Sequence, residues 1–213
     1  AFAAGTFGQE RFVRPVDQAP NDASFLAFRT KLIAAAESRD AKFILSIIDP
    51  KIELSFGGDA GLADFKRIWK LNAAKSPFWE VFLPAIRNGG RFDRDPESRQ
   101  MIFAAPYTFD GFPEDLDVFE YQAIFGSDVN LRSTPNADAP VAARLSYNIV
   151  RVDHDRSVKR KGSDEEFEWY RVETLGGLKG FVKSEFVRSP IDYRAGFQKK
   201  RGVWKMIFFI AGD

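Results

Sequence analysis

Val129-Asn130-Leu131-Arg132-Ser133-Thr134-Pro135, Trp169-Tyr170-Arg171-Val172 and Gly180-Phe181-Val182-Lys183-Ser184-Glu185-Phe186-Val187 are three short runs in which β-branched, aromatic and other apolar residues are interleaved with polar ones. Period two is the pattern of a half-buried strand, whose side chains point to opposite faces in turn. Val141-Ala142-Ala143-Arg144-Leu145 supplies another such run, and Asn136-Ala137-Asp138-Ala139-Pro140 is the polar loop before it. Short strands joined by turns of this kind build a small closed β-barrel, because closure removes exposed strand edges.

These runs, in this order, resemble the bacterial SH3 family over about 125–190. Members open with a V-N-x-R strand, a polar loop and Pro, as in 129–135, then continue with a strand like Val141-Ala142-Ala143-Arg144-Leu145. Trp169-Tyr170-Arg171-Val172 is similar to the family's W-Y-x-V strand, and 180–187 to its closing G-W-V-x-x-x-Y-L. Two positions depart: Phe181 stands where Trp is common, and Tyr147-Asn148 replaces a turn Gly before the middle strand. The resemblance implies a module that binds rather than catalyses.

Alternation within 169–172 selects the candidate ligand face. Val172 belongs to the core, so Tyr170 shares its side while Trp169 and Arg171 point away. An exposed Trp169 beside Arg171 can anchor a peptide or stack on a sugar, with the guanidinium pairing a carboxylate. Phe181, Tyr147 and Arg132 complete the candidate set. The alternative is that Trp169 packs on the rest of this Phe-rich chain. The insertion 153–168 reads as a polar hairpin loop, either solvated or flanking a groove.

Outward toward the N-terminus, residues 1–20 carry Gly5, Gly8, Pro15 and Pro20 without periodicity, as an extended or disordered arm does. Asp22 or Ser24 caps a helix with Phe25, Phe28, Leu32 and Ala36 on one face, and Asp40 caps a second with Phe43, Ile44, Ile47 and Ile48. Ile52, Leu54 and Phe56 alternate as a strand that ends at Gly57-Gly58. A third helix carries Leu62, Phe65, Ile68 and Trp69; a fourth, capped at Ser76-Pro77 and holding Pro84, runs to Gly89-Gly90. Residues 99–105 form a strand and 106–117 a connecting loop. At the other end, Lys200-Arg201-Gly202 turns a hairpin whose last strand, Val203 to Ala211, is apolar on both faces and needs covering.

The expected architecture is therefore α+β: a helix-rich domain over 21–117 joined by 191–213, and an SH3-like barrel over 118–190. The order helix, helix, strand, Gly turn, helix with a late strand containing G-x-W-K resembles the nuclear transport factor and ketosteroid isomerase superfamily, which implies a curved sheet wrapped around a pocket.

Composition narrows the chemistry. With 31 basic and 30 acidic residues the net charge is +1, too small to provide the large single-sign field that draws in nucleic acid. The absence of Cys removes thiolate catalysis and Cys-ligated zinc; a His-based metal site or a Ser-His-Asp triad would have to rest on His154 alone, which in its charged stretch reads as a surface imidazole. Asp59 and Asp64 could cleave a glycosidic bond as a pair, but each sits where turns and helix starts favour acids. Asp93, Asp95 and Glu97 lack the spaced ligand series of a calcium loop. No cofactor, metal or catalytic residue is expected.

No apolar run approaches the about 20 residues that cross a bilayer. The opening Ala1-Phe2-Ala3-Ala4-Gly5 has the small residues that flank a signal-cleavage site, which points to export and the cell envelope. The expectation is a non-catalytic envelope protein recognising a cell-wall peptide or a protein partner. The alternatives are a hydrolase with carboxylates in the N-terminal domain, or a purely structural domain pair.

Overall fold

The computed structural model describes residues 8–95, 99–163 and 166–212. They form two compact units, one of 15–111 with the chain's end from 191, the other of 8–14 with 112–190. The arm expected over 1–20 is thus divided, and its first residues lie outside the described ones.

In the first unit Asp22 accepts the Ser24 and Phe25 amides and starts α1 (Ala23–Glu37), and Asp40 does the same through Phe43 for α2 (Ala41–Ile47). Strand β1 (Ile48–Glu53) follows at once, one turn earlier than the alternation from Lys51 suggests, and Phe56 lies beyond its end, 62% exposed. After α3 (Gly61–Trp69), helix α4 (Phe78–Arg87) is entered from Pro77; Ser76 does not cap it but donates its hydroxyl to the Trp69 carbonyl at 2.6 Å. Strands β2 (Arg91–Arg94) and β3 (Met101–Ala105) then pair antiparallel, β2 being unforeseen. The stretch expected as a loop opens with one helical turn, α5 (Tyr107–Asp110).

The end of the chain completes this sheet. Strands β11 (Arg194–Lys200) and β12 (Val203–Ile210) are joined by Arg201 and Gly202, both at positive φ (50° and 82°), the conformation a two-residue hairpin with right-handed twist requires. The strand order is β1-β12-β11-β3-β2, with β12 parallel to β1. The C-terminal hairpin therefore returns to the N-terminal sheet, as its apolar strand demands.

Aromatic rings fill the space between sheet and helices. Phe25, fully buried, has Phe103 at 4.2 Å, Trp204 at 4.8 Å and Phe92 at 5.4 Å between ring centroids. Phe78 stacks on Phe82 at 4.5 Å, and both meet Phe209 edge-on. The pocket implied by the second resemblance is occupied by these side chains.

In the second unit β4 (Tyr121–Ile124), β5 (Val129–Arg132), β6 (Val141–Leu145), β7 (Ile149–Lys159), β8 (Phe167–Thr174), β9 (Lys179–Lys183) and β10 (Val187–Arg188) form one curled sheet, ordered β10-β4-β7-β8-β9-β5-β6. It is a half-barrel: β6 and β10 remain edges. Strand β10 has two residues and runs out at Pro190, which has no N–H to extend a ladder. The concave side buries Ile124, Leu131, Val150, Val172 and Val182, with Tyr170 half-buried among them. Much of the expected polar loop over 153–168 is strand, β7 and β8 continuing to Lys159 and Phe167.

Residues 8–14 belong to this unit. The Arg11 carbonyl accepts from the Ile149 amide at 2.9 Å, and Glu10 accepts from the Thr174 hydroxyl (2.5 Å) and from the Asn148 side-chain amide (3.1 Å). Gly180 has its own physical reason: a Cβ there would lie 2.6 Å from the Arg132 carbonyl oxygen and 2.7 Å from Leu131 Cγ, because β9 and β5 approach closely. Gly180→Ala should therefore lower unfolding free energy by about 1–3 kcal/mol in a urea titration, the cost typical of overpacking. A neutral result would mean that β5 and β9 can part freely.

Candidate functional site

Strand β8 pairs with β9 in the register Trp169 to Lys183, Arg171 to Phe181 and Glu173 to Lys179, and β9 meets β5 at Phe181 and Arg132. Since Tyr170, Val172 and Val182 face the core, Trp169, Arg171, Phe181, Lys183 and Arg132 share the convex face of three adjacent strands. Four of the five residues expected at the site are thus brought together. The Arg171 guanidinium stands 5.2 Å from the Phe181 ring centroid, and the Lys183 ammonium 5.9 Å from that of Trp169.

Trp169 is not the exposed anchor that alternation suggests. Only 5% of its surface is accessible, although it lies outside the cluster that forms the barrel core. It lines a groove of about 210 Å³ with Asp128, Asn130, Arg132, Lys183 and Phe186. Phe186 remains 38% exposed. Arg132 is fixed by a 2.6 Å hydrogen bond to the Ala139 carbonyl, so its planar head is pre-placed. The Asn130 side-chain carbonyl is buried and finds no donor among the described residues. An unpaired, desolvated amide oxygen costs about 1–3 kcal/mol, and a ligand N–H would recover it. Asn130, Lys183 and Phe186 were not read from the sequence as site residues; Asn130 shares the face of Arg132 by period two, a signal that could have found it.

Tyr147 stands apart. It occupies the turn before β7 at φ 60°, with its amide bonded to the Gly126 carbonyl and its carbonyl to the Val13 amide. It adopts the left-handed conformation that the missing turn Gly would take without strain. Its backbone duty, not its ring, explains the position.

A second groove, about 390 Å³, opens beside Arg171, His154, Arg156, Arg151, Glu120 and Phe119. It follows from a bulge in β7: Asp153 opposes Arg171 and Val158 opposes Trp169, leaving 154–157 extra against a single residue. Ser157 closes this bulge, donating its hydroxyl to the Asp153 carbonyl (2.7 Å) and accepting the Arg171 amide (2.9 Å). Several of its charges are paired, Arg151 with Glu120 at 3.1 Å, Arg156 with Asp153 at 3.6 Å and Lys179 with Glu173 at 3.2 Å. His154 is exposed and rests 5.6 Å from the Phe167 ring.

The acids of the other unit are likewise engaged. Arg67 Nη2 lies 2.7 Å from Asp59 and 3.0 Å from Asp64, and its hydrogen bond holds the Asp64 carboxyl below its ordinary range. Glu97 lies outside the described residues. Among the described residues no group of three His, Cys, Asp or Glu could hold a metal ion. Asp110 is the acid that sequence reading missed: desolvation, aided by Asp93 and opposed by Arg91, pushes its carboxyl up to about 6, although the residue as a whole is exposed and solvent screens part of that effect. Outside both grooves, it has no lining role in either.

A curled antiparallel sheet of short strands, open between β6 and β10, is the half-barrel form of an SH3-like domain, where the sequence predicts a closed barrel. Residues 127–188 match the family model of the bacterial SH3 domain; the match does not extend to the α+β unit. No curated protein and no solved structure matches the chain.

Two outcomes follow. Tyr147→Gly should be more stable than Tyr147→Ala by about 1 kcal/mol, inverting the usual order, when both are unfolded in guanidinium. For Asp110 the folded value lies above the unfolded one, so the folded state binds the extra proton and stability falls as pH rises from about 4 to about 6. Asp110→Asn should flatten that slope in thermal melts across the range; an unchanged slope would assign it to another group.

Proposed function

We propose that this chain is a non-catalytic binding protein of the bacterial cell envelope, whose SH3-like barrel recognises a cell-wall peptide or a protein partner in the Trp169 groove. The observation that carries the reading is the Asn130 carbonyl, buried and unpaired in a groove lined by Trp169 and Phe186 and rimmed by Lys183. Extended peptides offer what this arrangement lacks: a backbone N–H for the amide oxygen and an apolar side chain for the exposed Phe186 ring. Bacterial SH3 domains are often cell-wall associated, which supports the envelope setting. No helix among the described residues is long and apolar enough to cross a membrane.

The test is co-sedimentation of the purified chain with insoluble peptidoglycan sacculi, beside Phe186→Ser. Phe186 is exposed, so its replacement spares the core. Sedimentation by the wild type and loss by the variant, with unchanged circular dichroism, is the expected result. Sedimentation unaffected by Phe186→Ser would move the site elsewhere; no sedimentation at all would leave a protein partner.

A further inference from the structure

Strand pairing aligns more of the convex face than the groove alone. Asn130 opposes Arg144 across β5 and β6, and Trp169 opposes Lys183 across β8 and β9. The antiparallel register that sets Arg132 against Phe181 brings Asn130 level with Lys183, and both line the groove. A single row thus crosses four strands: Arg144, Asn130, Lys183, Trp169. Arg144 and Lys183 are exposed, and neither has a carboxylate within ion-pair distance among the described residues. Asp128 is the acid in the groove's lining, against the two cations Arg132 and Lys183.

We infer, building on the peptide-recognition reading, that this row takes an extended acidic peptide, whose backbone N–H meets Asn130 while side-chain carboxylates at alternate positions reach Lys183 and Arg144. The two cations flank Asn130 from neighbouring strands, about 10 Å apart at the backbone for two strand spacings of about 4.8 Å. Their long side chains converge easily on carboxylates two residues apart, about 7 Å along an extended chain. Peptide is favoured over nucleic acid on two counts. Asn130 presents an acceptor where phosphate brings only acceptors, and the Trp169 ring is buried beneath Lys183, leaving little face on which a base could stack.

Fluorescence anisotropy of the full chain decides it, with labelled decapeptides of alternating Glu-Gly and Gln-Gly and a ten-nucleotide oligo-dT as probes. The Glu peptide should bind about tenfold more tightly than its Gln counterpart, and Lys183→Glu should abolish that preference. Asn130→Leu should weaken binding of the Glu peptide about fivefold or more while leaving the thermal midpoint unchanged or higher, since it removes a desolvated, unpaired oxygen. Equal affinity for the two peptides would overturn the acidic specificity while keeping a peptide groove. Tighter binding of oligo-dT would overturn it in favour of nucleic acid. Destabilisation by Asn130→Leu would assign the amide a structural duty and remove the N–H contact. If neither peptide binds and sacculi do not sediment the chain, the underlying recognition reading fails with it.

Discussion

The register between β8 and β9 is the constraint on which the barrel and its site both depend. With Val172 opposite Gly180 and Tyr170 opposite Val182, the concave face is apolar and closes over a core; the same choice sends Trp169, Arg171, Phe181 and Lys183 outward. A slip of one residue would exchange the two sets, placing a lysine and a guanidinium in the core. Gly180 guards this register from the other side, since only a residue without Cβ admits β5 at that distance.

Around that ladder the chain satisfies backbone groups with side chains where strands run out. Ser157 stands in for two ladder partners at the β7 bulge, and Glu10 gathers Asn148, Thr174 and the Gly176 amide at the ends of β7 and β8. The bulge has a functional consequence: it lets β7 turn away from β8 and leaves a second, polar groove next to Arg171. Three ion pairs offset much of that groove's charge, whereas no carboxylate among the described residues pairs with Lys183 or Arg144, and this favours the aromatic groove in the proposed reading.

Much of the fold was legible because it rests on local signals. Caps at Asp22 and Asp40, apolar stripes and the hairpin at Arg201-Gly202 each follow from a few neighbouring residues. The barrel runs were legible through period two. What local signals could not supply was pairing at a distance: β2 is too short to announce itself, and the strand character of 153–159 appears only when β8 lies beside it. At the site, alternation put Trp169 and Arg171 on one face, and strand pairing sets Phe181 and Arg132 beside them, yet alternation cannot say how much of a face neighbours will cover. Trp169 lies outside the barrel core, as expected, yet only 5% of its surface is accessible, with the Lys183 ammonium over its ring. Tyr147 differs: it is set apart from the other four, and its positive φ marks a backbone constraint that its residue type does not announce.

Overall charge was a poor guide to the convex face for a physical reason. A net value of +1 averages over the whole chain, including acids and bases paired with one another, as Arg67 is with Asp59 and Asp64, or Lys179 with Glu173. Such pairs cancel within a few ångströms and contribute little field beyond a Debye length. What a ligand meets is the unpaired remainder, and on this face it is cationic, set around a buried oxygen that the fold leaves without a donor. The Val129-Asn130-Leu131-Arg132 strand would lose nothing in core packing if Asn130 were apolar. On the proposed reading that amide is half of a contact whose other half arrives from outside.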